Sequence, residues 1–180
     1  DIDTTAALLR FLGRHVEVDA PLVRVTQATT DVRPEAPYEL VEQMRASTAV
    51  LGPLLATVGR ARVALPGGDD FGSRPIDMHL ASLEALGAEF ELSHGMIEGR
   101  AARLVGAEVV LEYPSVGATE NLLMAGVLAN GTTTVRNAAR EPEISDLAAF
   151  LNRMGGRVLG AGSPTIVIEG VEELRAVEHT

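Results

Sequence analysis

Three stretches of this chain repeat one pattern, and the repeat limits the folds open to it. Ile2 to Val18 reads as a helix closed by Gly13 and followed by a strand. Ile76 to Leu92 reads the same way around Gly87, and Ile144 to Leu159 around Gly155 and Gly156. In each, an isoleucine opens the helix, apolar residues recur at helical spacing, and a Leu-Gly or Met-Gly pair ends it. Glycine just past the last apolar turn is the expected C-cap, because it accepts the left-handed backbone found there. The copies lie about 70 residues apart, too far for a solenoid but suited to a supersecondary unit used several times in one domain.

A second unit recurs between them. Ala46 to Val58 is helical in composition and leads through Gly59 into the strand Ala61 to Leu65 and a loop at Gly67-Gly68. Ala118 to Ala129 leads likewise through Gly131 into the strand Thr132 to Arg136 and a loop from Asn137 to Arg140. Gly52-Pro53 must kink or restart the earlier helix, since proline has no N–H to donate in mid-helix. Short β-rich connections follow at Leu22–Thr26, Met96–Gly99, Ala107–Tyr113 and Thr165–Ile168. Three copies of one half-unit and two of the other predict α/β layers with helices inside or across sheets. The unequal count, and a first residue that is Asp1 rather than methionine, fit a piece of a longer protein. No linker rich in proline, serine and glycine divides the chain, so one domain is expected.

Composition narrows the chemistry. There is no cysteine and no lysine, so all 15 basic residues are arginine. Thiolate nucleophiles, disulfides, Schiff bases and a P-loop lysine are therefore excluded from this chain. A net charge of −10 argues against a nucleic-acid partner, though a few arginines can still converge on a small anion. No apolar run approaches bilayer-spanning length, so a soluble cytoplasmic chain without a membrane partner is expected. The histidines at 15, 79, 94 and 179 are scattered without ligand spacing, so neither a metal nor another cofactor is expected.

The richest stretch runs from Leu65 to His79, where three glycines and two prolines form a loop between a strand and a helix beginning near Ile76. It holds Asp69, Asp70, Arg74, Asp77 and His79. Arg74, just before Pro75 and a helix N-terminus, can hold a phosphate or carboxylate bidentately beside free backbone N–H groups. Two roles are open to Asp77, a first-turn cap or a ligand contact. Arg45 precedes an apolar helix, as a solvated residue or a ligand contact. In Tyr113 to Asn121, small residues open a helix where a diphosphate could reach backbone N–H groups, or where Ser115 or Thr119 simply caps. The acids of Asn137 to Ile144 are expected to cap the next helix or pair with Arg140.

Together, Leu65-Pro66-Gly67-Gly68…Gly72-Ser73-Arg74-Pro75-Ile76-Asp77-Met78-His79, Ser115-Val116-Gly117-Ala118-Thr119-Glu120-Asn121 and Asn137-Ala138-Ala139-Arg140-Glu141-Pro142-Glu143-Ile144 closely resemble the UDP-N-acetylglucosamine enolpyruvyl transferase family. The resemblance runs from Asp1 to about Leu174, leaving 175–180 as tail or linker. It implies a two-domain enzyme, each domain an inside-out α/β barrel of three βαβαββ-type pseudo-repeats, with the active site between domains. The implied reaction moves the enolpyruvyl group of phosphoenolpyruvate to the 3′-hydroxyl of UDP-N-acetylglucosamine, the first committed step of peptidoglycan synthesis, and so serves cell-wall growth and division.

Carried over by position, Asp69 and Arg74 are the catalytic residues, with Arg74 on the phosphate of phosphoenolpyruvate, and Arg45 lines the cleft. Arg74, Pro75, Ile76, Asp77, Met78 and His79, with Tyr113, Pro114, Ser115, Val116 and Gly117, form the walls around the nucleotide sugar, and His79 supports the loop. Asp69 stands where the family commonly has cysteine, and some members resemble this chain in carrying aspartate. An aspartic acid can still protonate the substrate's methylene carbon if burial or Asp70 raises its pKa. It cannot form fosfomycin's thioether, so an insensitive enzyme is expected. The family's catalytic lysine lies in the other domain, so this chain alone is expected to fold without activity. The alternatives are the related 3-phosphoshikimate enolpyruvyl transferase and a non-catalytic paralogue that binds a UDP-sugar.

Overall fold

The three helix–glycine–strand copies fold alike. The computed structural model describes residues 2–27, 32–41, 45–65 and 76–180, with the side chains of 27 and 45–47 left out. In the first copy, helix α1 (Ile2–Phe11) turns through Gly13 into strands β1 (Arg14–Asp19) and β2 (Leu22–Gln27). In the second, α4 (Asp77–Ala85) turns through Gly87 into β5 (Glu89–Ser93) and β6 (Met96–Arg100); in the third, α6 (Pro142–Arg153) turns through Gly155 into β9 (Arg157–Leu159) and β10 (Thr165–Glu169). The three turn glycines have φ of 92°, 94° and 98°, a backbone region L side chains avoid.

The other half-unit supplies the remaining strands and the inner helices. Strand β3 (Glu35–Ala36) leads through a short helix α2 (Tyr38–Val41), a 3-10 helix (Arg45–Val50) and α3 (Leu51–Val58) into β4 (Arg60–Ala64). Strand β7 (Glu108–Val110) leads through α5 (Val116–Gly126) into β8 (Thr132–Arg136). The result is two four-stranded sheets of the same design, β3-β4-β6-β5 and β7-β8-β10-β9, and a β1-β2 hairpin. Each large sheet has one parallel pair, β3 with β4 or β7 with β8, and is otherwise antiparallel. A parallel pair needs a crossover, and the helices provide it. The described residues thus hold two complete βαβαββ units and the closing αββ half of another, where three units per domain were expected.

Helices lie inside and sheets outside. Helix α5 is buried almost all round, through Ala118, Thr119, Asn121, Leu122, Leu123, Ala125 and Gly126, as befits a helix surrounded by other elements. It packs on α3, α4 and α6 and on strands β8 and β10. The sheets alternate, with Ala61 and Val63 inward and Arg60 and Arg62 outward on β4. One core runs through both units, from Leu51, Leu55 and Val63 to Leu122, Val135 and Ile168.

The Gly52-Pro53 pair does restart a helix. The 3-10 helix gives way to α3 at Leu51, so Pro53 falls in the first turn, where its missing N–H leaves no bond unmade. Three elements differ from expectation. Strand β3 and helix α2 were not anticipated, and β7 ends at Val110 rather than running on to Tyr113. Beyond Leu174, the N–H of Arg175 donates to Met154 O (2.8 Å), and the His179 ring lies 5.0 Å from Phe150 with Nε2 2.8 Å from Asp146 Oδ1.

Candidate functional site

The N-terminal ends of α4 and α5 meet, and the contact is made by His79 and Gly117. A methyl group added at Gly117 would lie 2.9 Å from His79 Cε1 and 3.2 Å from Nε2, so glycine is what lets the ring lie on this turn. One turn further along α5, Asn121 is wholly buried and makes three hydrogen bonds. Its Oδ1 accepts from Gly52 N–H (2.8 Å), while Nδ2 donates to Thr48 O (3.1 Å) and bonds His79 Nδ1 (2.8 Å). One side chain therefore joins the 3-10 helix that Arg45 opens, the start of α3, and the first turn of α4. Burial lowers the pKa of His79 below its ordinary value, which keeps the ring neutral.

Ser115 is the N-cap of α5, with Oγ accepting from Ala118 N–H (3.4 Å). Thr119 is not a cap. Its hydroxyl donates to Ser115 O (2.7 Å) and accepts from the N–H of Ala139 (3.1 Å), clamping the loop after β8 onto the helix start. Asn137, at φ 57°, adds a second clamp through Nδ2 to Leu111 O (3.0 Å). The acids of that loop were expected to cap the next helix or pair with Arg140. Glu141 holds the N-cap position of α6 without a side-chain cap, and its carboxylate instead accepts from the backbone N–H of Arg140 (2.8 Å). With Pro142 next, the first turn has one fewer N–H to satisfy.

The remaining expected residues are distributed around this junction. Ile76 is half-buried and precedes α4; Asp77 is exposed at the first helical position, and the N-cap residue of that helix makes no side-chain cap bond. Asp77 and Met78 line a groove of about 350 Å³ with Ser82, Val110 and Glu112. Val116 is half-buried, whereas Tyr113 and Pro114 are exposed beyond β7. Arg45 is placed by its backbone alone, three residues before Thr48. Asp69, Arg74 and Pro75 lie outside the described residues, as does the rest of the loop from 66 to 75. The structure thus brings Ile76–His79, Ser115–Gly117 and the 3-10 helix together. It also gives Asn121, Thr119 and Asn137 organising roles that sequence reasoning had not assigned; for Asn121 and Thr119 the available signal was a polar residue in a largely apolar helix.

The fold and junction can be set against known proteins. The family model described as EPSP synthase (3-phosphoshikimate 1-carboxyvinyltransferase) matches residues 1–180. The chain belongs to the EPSP synthase family. Among curated relatives of this family member, a UDP-N-acetylglucosamine 1-carboxyvinyltransferase of Sorangium cellulosum is 60% identical over 99% of the chain and 42% of its own length. A Mycobacterium tuberculosis protein of the same name is 54% identical over 99% of the chain and 43% of its length. The EPSP synthase-family chain thus spans well under half the length of these relatives.

Among solved structures, the enolpyruvyl transferase NikO from Streptomyces tendae superposes with a TM-score of 0.80 at 26% identity, over 96% of this chain and 41% of that one. An EPSP synthase from Acinetobacter baumannii superposes with a TM-score of 0.72 at 18% identity, over 96% of this chain and 39% of that one, a likeness of fold. The expected enolpyruvyl transferase architecture is therefore the one found.

Proposed function

We propose that this chain is one half of the cleft of a UDP-N-acetylglucosamine 1-carboxyvinyltransferase, a cytoplasmic enzyme of peptidoglycan precursor synthesis. It acts with a second domain that supplies a lysine this chain lacks. The observation that carries the reading is the 49–60% identity to relatives bearing that name, over nearly the whole chain. The 3-phosphoshikimate reaction fits less well, since a solved EPSP synthase with the same fold is only 18% identical.

In this reading Asp69, protonated, gives its proton to the methylene carbon of phosphoenolpyruvate as the sugar hydroxyl adds to the adjacent carbon. Loss of phosphate and of a methyl proton then leaves the enolpyruvyl ether. General acid catalysis by a carboxyl at neutral pH needs a raised pKa, and a neighbouring carboxylate such as Asp70 acts in that direction. Arg74 holds the phosphate as a bidentate donor, a role its planar guanidinium suits. The first turns of α4 and α5, from Ile76 to His79 and from Ser115 to Gly117, carry the nucleotide sugar, with Arg45, Pro75, Tyr113 and Pro114 at the margin. Helix N-termini offer unpaired N–H groups and the positive end of the dipole to a diphosphate.

The test is phosphate release from phosphoenolpyruvate by the full-length protein, with UDP-N-acetylglucosamine or shikimate 3-phosphate as acceptor. Release with the first alone supports the reading. Release with the second alone identifies the other reaction, and nucleotide-sugar binding without release identifies a non-catalytic protein.

A further inference from the structure

The proton on His79 can be located from its neighbours. Gly52 N–H is a backbone donor that cannot change role, so the Asn121 atom 2.8 Å from it must be the oxygen. The amide nitrogen then faces Thr48 O, which only accepts, and His79 Nδ1 at 2.8 Å. With two hydrogens and two such neighbours, Nδ2 donates to both. His79 Nδ1 must be a bare acceptor, and in a neutral ring the proton belongs on Nε2.

The ring lies along α5, with Nδ1 toward Asn121 and its Cε1–Nε2 edge against Gly117 in the first turn. Among the described residues, the hydrogen bond of the His79 ring is made at Nδ1 and none engages Nε2. We propose that Asn121 is a positioning residue that fixes His79 as the neutral Nε2–H tautomer, so that Nε2 offers a donor beside the α5 N-terminus to an acceptor oxygen of the nucleotide diphosphate. The opposite tautomer would present a lone pair there and repel the same oxygen. The substrate half of this inference rests on the proposed function; the tautomer does not.

The experiment labels the full-length protein with nitrogen-15 at histidine and reads ring protonation by NMR, with His79→Gln identifying the His79 signals. The expected spectrum at neutral pH has Nε2 protonated and Nδ1 bare. Asn121→Asp, which puts a carboxylate oxygen where Nδ2 donates, moves the proton onto Nδ1. A wild-type proton on Nδ1, or a proton unmoved in a folded Asn121→Asp protein, overturns the proposal. Kinetics supply the second arm: Asn121→Asp and His79→Leu raise KM for UDP-N-acetylglucosamine about tenfold, with kcat and KM for phosphoenolpyruvate within about twofold. His79→Gln, which keeps an amide donor near the Nε2 position, recovers most of that loss. If Asn121→Asp fails to fold, the wild-type spectrum and the two His79 variants still decide. An unchanged KM in His79→Leu overturns the donor's role, whereas a wild-type protein that never releases phosphate counts against the proposed function and leaves the tautomer standing.

Discussion

The backbone N–H of Gly52 donates to Asn121 Oδ1 at 2.8 Å, joining residues 69 apart in the chain and seating α3 on α5. The approach is close enough that a Cβ at position 52 would lie 2.6 Å from Asn121 O and 2.9 Å from its Oδ1. The first obstacle is backbone and cannot rotate away. Gly52→Ala should therefore push the two inner helices apart at a cost of about 2 kcal/mol, lowering Tm by about 4–8 °C. Urea and thermal unfolding of the variant check this.

Thr119 predicts a second loss with a different origin. Its hydroxyl accepts from Ala139 N–H at 3.1 Å, and Ala139 is fully buried. Thr119→Val keeps the shape but strands that N–H, at a cost of about 1–3 kcal/mol. Hydrogen exchange at Ala139 should accelerate relative to wild type even where the rest of α5 keeps its protection.

The neutral His79 predicts how stability follows pH. Its folded pKa lies below the ordinary 6.5 because burial disfavours the charged ring. Between the folded value and 6.5, the unfolded chain binds more protons than the folded one. The contribution is thus fully present above 6.5 and drains away as the pH falls toward the folded pKa. Denaturation midpoints measured between about pH 7 and pH 5 should fall less steeply in His79→Gln than in wild type.

Glu120 behaves in the opposite sense. Burial, and then repulsion from Glu143, raises its pKa above 4.5. The folded state now binds the extra proton, so stability declines as the pH rises from 4.5 through the folded pKa. Glu120 lines a groove of about 460 Å³ together with Leu8, Leu9, Leu54 and Met124. Glu120→Gln should raise Tm at neutral pH, and the gain should vanish well below pH 4.5. Paired thermal melts across that range check it.

What the sequence made legible was whatever depended on neighbours close in the chain. Gly13, Gly87 and Gly155 each follow an apolar helical pattern directly, so both the turns and the repeat could be read from periodicity. Ser115 stood at a helix start and could be named as a possible cap. Strand β3 could not be read. It is two residues long, lies between Pro34 and Pro37, and exists because Glu35 and Ala36 pair with Arg62 and Val63. The role of Asn121 was equally hidden, since its partners are 73, 69 and 42 residues away. Hidden in the same way was the close approach of the His79 ring to Gly117, which the missing side chain of that glycine permits.

Asp69 gives the most direct test of the account. Phosphate release from phosphoenolpyruvate with UDP-N-acetylglucosamine is followed in the full-length protein for wild type, Asp69→Ala and Asp69→Cys, with and without fosfomycin. Wild type is expected to turn over and ignore fosfomycin, and Asp69→Ala to lose about 10²–10⁴ in rate. Asp69→Cys should turn over and be titrated covalently by the epoxide. Stoichiometric fosfomycin labelling of wild type at Asp69, or an Asp69→Ala protein as fast as wild type, would contradict it.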